Sequence, residues 1–163
     1  INRQGGLIAA EAYAIHQNNL ASESHAAQYD QRIVARIRRG REISAAGYIG
    51  VMQERARLNA EIEKIALDFD LLLMPSVAIV PPRIAPLEQD DQLFMDTNAL
   101  VLRNTSVVNF MDGCALSLPC NLPGDAPVGL MLAAPRGCDS RVLDMGLAIE
   151  HALNSRKGVR LEQ

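Results

Sequence analysis

An α/β fold with few strands for its helices is what this 163-residue sequence predicts. Long stretches at residues 7–20 and 44–69 lack Pro and carry apolar residues at helical spacing. Short apolar runs at 71–74, 114–118 and 128–134 have the length of strands and are bounded by Pro, Gly or Asn. The order is helix, helix, helix, strand, helix, strand, strand, helix. It divides into a mainly helical part (1–69), a part with strands and loops (70–135), a terminal helix (139–154) and a tail (155–163).

Each element has a local justification. In 7–20, Ile8, Ala12, Ile15 and Asn19 share one helical face, beside Leu7 and Glu11, and Gly5 and Gly6 mark the start. Residues 30–39 form a second, short helix, with Ile33 and Ile37 four apart and Gly40 as its stop. Ser44 opens the longest helix, to about Phe69. Val51, Leu58, Ile62, Ile65 and Phe69 make its stripe, with Glu54, Arg57, Glu61 and Lys64 mostly off it. Gly47 in its first turn costs about 1 kcal/mol relative to Ala.

The run 71–74, ended by Pro75, fits a strand buried on both faces in a parallel or mixed sheet. Pro75, Pro81, Pro82 and Pro86 make the next dozen residues an extended, irregular crossing rather than a helix. Asp90 or Asp91 caps a helix through Leu102, with Leu93, Thr97, Leu100 and Val101 inward. The runs 114–118 and 128–134 then read as an antiparallel pair around a long turn containing Asn121, Pro123, Gly124, Asp125 and Pro127. Asp139 or Ser140 caps the last helix, lined by Leu143, Gly146, Leu147, Ala148 and Leu153. Residues 155–163 read as a frayed tail. Three short strands cannot cover both their faces and both their edges, so a complementing sheet is implied.

Composition narrows the function classes. Hydrophobic residues make up 48% and Trp is absent, so the core is aliphatic. A net charge of −3, from 16 basic and 19 acidic side chains, argues against a nucleic-acid partner. No apolar run approaches the ~20 residues of a membrane span. Cys114, Cys120 and Cys138 form no C-x-x-C pair, which favours reduced thiols and a cytoplasmic location. Cys114, within a strand-like run, reads as a small core hydrophobe. A start at Ile1 without Met or a signal-like segment suggests a piece of a longer protein.

No catalytic group announces itself. Ser117, in A-L-S-L-P, lacks the G-x-S-x-G elbow that would lift its hydroxyl, so a structural role is expected. His16, His25 and His151 match no metal-ligand spacing, and neither metal nor cofactor is expected. The glycines form no phosphate cradle. Arg32, Arg36, Arg38, Arg39 and Arg41 crowd ten residues. They read as a solvated face, or alternatively as a clamp for an anionic group. Asp90, Asp91 and Asp96 imply no pairing, and a buried Asp112 would need partners.

Several segments together resemble the amidase signature family. D-L-L-L-M-P-S at 70–76, T-S-V-V-N at 105–109, A-L-S-L-P-C at 115–120 and P-V-G-L-M-L-A at 127–133 are similar to its motifs in order and spacing. Asp112, Gly113 and Cys114 stand where the family often has G-x-P, and Met131 where it often has Gln. The resemblance implies part of a mixed β-sheet core flanked by helices, incomplete without an N-terminal half. It also implies hydrolysis of a small-molecule amide by a Ser-Ser-Lys triad. That triad cannot be placed here, because the only lysines are Lys64 and Lys157 and no Gly-Gly-Ser-Ser loop occurs. No catalytic residue is therefore assigned.

What the resemblance leaves for this chain is sheet and pocket wall. Arg36 is similar to an arginine that holds a substrate carboxylate in the glutamine amidotransferase branch, and Asn104, Thr105 and Asn109 fall near the family's pocket. Two alternatives stand beside the amidase reading: a non-catalytic binding or assembly module, and the A-type subunit of a glutamine amidotransferase. The expected partners are the missing N-terminal half and a second copy in a homodimer, with no nucleic acid and no membrane.

Overall fold

A computed structural model describes residues 6–122 and 124–160, with side chains described through Ser155. Gly5, Pro123 and the last three residues of the expected tail lie outside the described residues. The chain divides into two compact units, Ile1–Leu58 and Asn59–Gln163.

The first unit is helical. It holds α1 (Gly6–Leu20), α2 (Glu23–Ala26), α3 (Gln31–Arg38), a 3-10 turn at Arg39–Glu42, and most of α4 (Ala45–Ala66). Leu20, Ala26, Val34 and Ile37 form its core, with Ala12, Tyr13 and Tyr29 packed on them. Asp30 caps α3 by accepting a hydrogen bond from the Arg32 amide at 2.8 Å. The inner face of α1 is Ala9, Ala12, Tyr13, His16 and Leu20; of the expected line, Ile8 and Ile15 are 47% and 73% exposed. The Tyr29 hydroxyl fixes that face, 3.1 Å from both His16 Nδ1 and the Asn19 amide.

Gly40 does not stop a helix as expected. It sits buried within the 3-10 turn, where a Cβ would run into the Ala9 carbonyl and lie 2.7 Å from Tyr13 Cβ. Absence of a side chain is what lets this turn approach α1. Ser44 does open α4, its Oγ accepting from the Gly47 amide at 3.0 Å. The helix ends at Ala66 rather than Phe69, because the amides of Leu67, Asp68 and Phe69 bond three residues back instead of four. None of its residues is buried, and Ile65 and Phe69 of the expected stripe are 57% and 60% exposed.

The second unit holds the sheet. Strands β1 (Leu72–Pro75), β2 (Cys114–Pro119) and β3 (Gly129–Ala134) lie in the order β1-β3-β2, all antiparallel. The register pairs Met74 and Ser117 with Met131, and Leu72 and Ala115 with Ala133. That face meets α6 (Asp91–Phe110) through Val108. The opposite face, with Leu116, Leu118, Leu132 and Ala134, packs on α7 (Asp139–Arg160) through Val142, Ile149 and Leu153.

Several expectations for this unit change. The first strand is an antiparallel edge strand with alternating burial, leaving Leu73 58% exposed. The Pro-rich crossing is irregular at first, but α5 (Ile84–Gln89) follows it. Pro86 fits there because it lies in the first turn, where amides have no intrahelical acceptor. Asp90 is the α6 cap, accepting from the Leu93 amide at 2.9 Å, and the helix runs on to Phe110. Leu93 and Leu100 face outward. In α7, Val142, Gly146, Ile149 and Leu153 form the inner line, while Leu143 and Leu147 are 57% and 69% exposed. Helix α7 also continues past 154, so most of the expected tail is helical.

Candidate functional site

One apolar cleft in the second unit gathers three of the chain's four motif segments, T-S-V-V-N at 105–109 lying outside it. It has a volume of about 680 Å³ and lies between the crossing after β1, the paired ends of β2 and β3, and Val101 of α6. Its walls include Val77, Ile79, Val80, Pro81, Pro127 and Val128. Ser76, Ser117 and Asn121 supply polar side chains, and among the described residues no charged side chain lines it.

The two serines meet because of the sheet register. Ser76 follows β1 immediately, and its amide donates to the Gly129 carbonyl at 2.8 Å. Ser117 lies on β2, two residues before Pro119, which pairs with Gly129. Both hydroxyls therefore converge over Gly129, with Oγ atoms 2.5 Å apart. A Cβ on Gly129 would sit 2.6 Å from one Oγ and 2.7 Å from the other. The glycine leaves room for the pair.

This arrangement can bind but has no means to activate a nucleophile. A serine attacks only when a neighbouring base takes its proton, and among the described residues no Lys or His lines the cleft. Each hydroxyl has the other as its neighbour. The sequence pattern gives Ser117 a structural role and does not single out Ser76. The signal that links them is spatial, created by β3 between two segments 41 residues apart.

The other candidate residues scatter. Arg36 is half-buried on α3, in the first unit. Arg38 and Arg41 line a separate cavity of that unit, about 650 Å³, with Tyr13, Gln17 and Glu42. Asn104, Thr105 and Asn109 all lie on α6. The Asn104 amide donates to the Pro75 carbonyl at 2.7 Å, holding the end of β1 beside the cleft. The Thr105 hydroxyl bonds within the helix, to the Leu102 carbonyl at 3.2 Å, and Asn109 is exposed. Asp112 is not buried. It occupies the turn after α6 with φ 58°, and Arg136 Nη1 donates to its carboxylate at 3.4 Å. Burial pushes the Cys114 thiol up from its ordinary value, with the Asp139 carboxylate adding to the effect. Cys114 is thus a neutral packing group at the foot of β2, touching the carbonyls of Ala134 and Pro135.

Comparison with known proteins places these features in a family. The Amidase family model matches residues 6–143. The chain is 30% identical over 151 residues to 2-amino-5-chloromuconic acid deaminase of Comamonas testosteroni, covering 92% of this chain and 32% of that protein. It is 33% identical over 136 residues to the A-type subunit of glutamyl-tRNA(Gln) amidotransferase from Thermus thermophilus, covering 80% of this chain and 28% of that protein. Among solved structures, the S177A variant of Kluyveromyces lactis allophanate hydrolase superposes with a TM-score of 0.70 at 23% identity. That match covers 86% of this chain and 22% of the other. The chain spans about a third of the length of these curated relatives. A family match from α1 into α7, on a helix-flanked antiparallel sheet, makes this chain a member of the Amidase family.

Proposed function

We propose that this chain is the carboxy-terminal portion of an amide hydrolase whose Ser-Ser-Lys triad lies outside it. The chain supplies sheet and pocket wall, and the substrate is a small-molecule amide. The observation that carries this reading is the cleft itself. In an Amidase-family chain, an apolar wall ends in two hydrogen-bonded hydroxyls, with no basic side chain beside them among the described residues. Such a surface positions a substrate, and the proton transfers of amide cleavage need a base from elsewhere. Asn104 serves by anchoring β1. Arg36, Thr105 and Asn109 are proposed as substrate-binding positions of the longer protein, and none of them lines this cleft.

The test compares the 163-residue chain with a longer protein carrying the preceding part of an amidase domain. Aryl and alkyl amides are the substrates, and release of ammonia or amine is the readout. The short chain is expected to be silent and the longer one active. Turnover by the short chain alone would overturn the reading, and silence of the longer one would favour the non-catalytic module. The matches to amidotransferase A-type subunits support a second reading, in which the parent releases ammonia from glutamine. Loss of that activity on Arg36→Ala, with simple amides still cleaved, is the outcome that singles it out.

A further inference from the structure

We propose that the cavity between α1 and the 3-10 turn of the first unit binds the oxyanion of a small ligand, a phosphate or carboxylate group held between Arg38 and Arg41. The backbone builds this cavity around Gly40, which lies between the two arginines in sequence. Gly40 is buried against α1, where a Cβ would lie 2.7 Å from Tyr13 Cβ. Arg38 and Arg41 therefore extend from a turn that is pressed onto the helix. Tyr13, Gln17 and Leu20 contribute the α1 wall. The volume, about 650 Å³, also leaves room for the body that carries the oxyanion. Arg36 and Arg39 do not line the cavity.

Charge and donors select the ligand class. Among the described residues the charged groups lining the cavity are Arg38, Arg41 and Glu42, two cations against one anion. No side chain of the three makes a hydrogen bond or ion pair among the described residues. The hydroxyl of half-buried Tyr13 has no hydrogen bond there either. Gln17 spends one amide proton on the Ala14 carbonyl at 3.2 Å and keeps the other. The cavity thus gathers donors that the protein itself does not use. A guanidinium donates in a planar fork that matches the oxygens of a carboxylate or a phosphate, and bonds between charged partners are stronger than neutral ones. A neutral ligand would forgo that gain, and a cation would meet two like charges for one opposite. Glu42 opposes the oxyanion, but the lining keeps a net positive charge.

The experiment titrates the 163-residue chain with phenyl phosphate, benzoate and uncharged benzyl alcohol, followed by ligand-observed NMR. The tighter of the two anions is expected to bind about ten-fold more tightly than the alcohol. Preference for phenyl phosphate assigns the site to phosphate esters, and preference for benzoate assigns it to carboxylic acids. Arg38→Gln with Arg41→Gln, both at exposed positions and with the fold checked by circular dichroism, should weaken that anion about ten-fold. Arg39→Gln, exposed but outside the cavity, controls for the loss of surface charge and should leave the affinity unchanged. Glu42→Gln, which removes the opposing charge, should strengthen binding about two-fold. Equal affinity for benzyl alcohol, no binding of either anion, indifference to the double substitution, or an equal loss on Arg39→Gln would each overturn the proposal. The site lies in the first unit, so its failure leaves the reading of the apolar cleft untouched.

Discussion

At Asp90 a single carboxylate sets where a 20-residue helix begins. Its oxygen accepts from the Leu93 amide, one of the donors that an α-helix leaves without an internal partner. Asp90→Ala should therefore lower stability by about 1 kcal/mol, read as a lower urea midpoint with an unchanged slope. Asp90→Asn should retain most of the cap. Asp90 and Ser44 were legible in the sequence because capping chemistry is local, although Asp30, which caps α3 in the same way, reads in the sequence as the helix's first residue. Ser76 and Gly129 were not, because their roles exist only once β1 and β2 are both laid against β3. Gly40 was misread for the same reason. Its sequence context suggests a helix stop, and only the packing of the 3-10 turn on α1 shows why no side chain fits.

At the scale of elements, helical periodicity identified the longer helices but placed outward-facing residues on the inner line of α1, α4, α6 and α7. In α7, Leu143 and Leu147 are larger than Val142 and Gly146 and lie one position along from them. Hydrophobicity alone favours the leucines, while contact with Leu118, Leu132 and Ala134 selects the line through Val142. Two substitutions separate these lines. Val142→Ala should cost about 1–3 kcal/mol, since Val142 is 3% exposed and its loss leaves a cavity against the sheet. Leu147→Ala should stay within about 0.5 kcal/mol in this chain. Equilibrium denaturation of both variants checks the pair. The length of α6 was missed differently. T-S-V-V-N contains β-branched residues of low helical propensity, but Val108 buries itself on Met131 and Ala133. That tertiary contact outweighs a propensity deficit of a few tenths of a kcal/mol per residue.

Over the whole chain, the α/β class and the scarcity of strands were legible, and the sheet has open edges as a result. With the order β1-β3-β2, only β3 is paired on both sides among the described residues. Strand edges with unpaired backbone groups are templates for association. Apolar side chains are exposed as well, with Leu73 on β1, Ile65 on α4, and Leu67 and Phe69 just past it. The 163-residue chain should therefore self-associate, its mass by light scattering rising above that of a monomer as concentration increases. Ile65→Glu combined with Phe69→Glu should shift the chain toward monomer, because charge opposes burial of that surface. Helicity should be unchanged, since neither side chain is buried. The longer protein proposed above should remain unaggregated at the same concentration if the preceding part of the domain covers this surface. A chain that is monomeric throughout the range, without the substitutions, would mean that the exposed edges and side chains need no complement. The proposal that this sheet is completed from outside would then lose its physical basis.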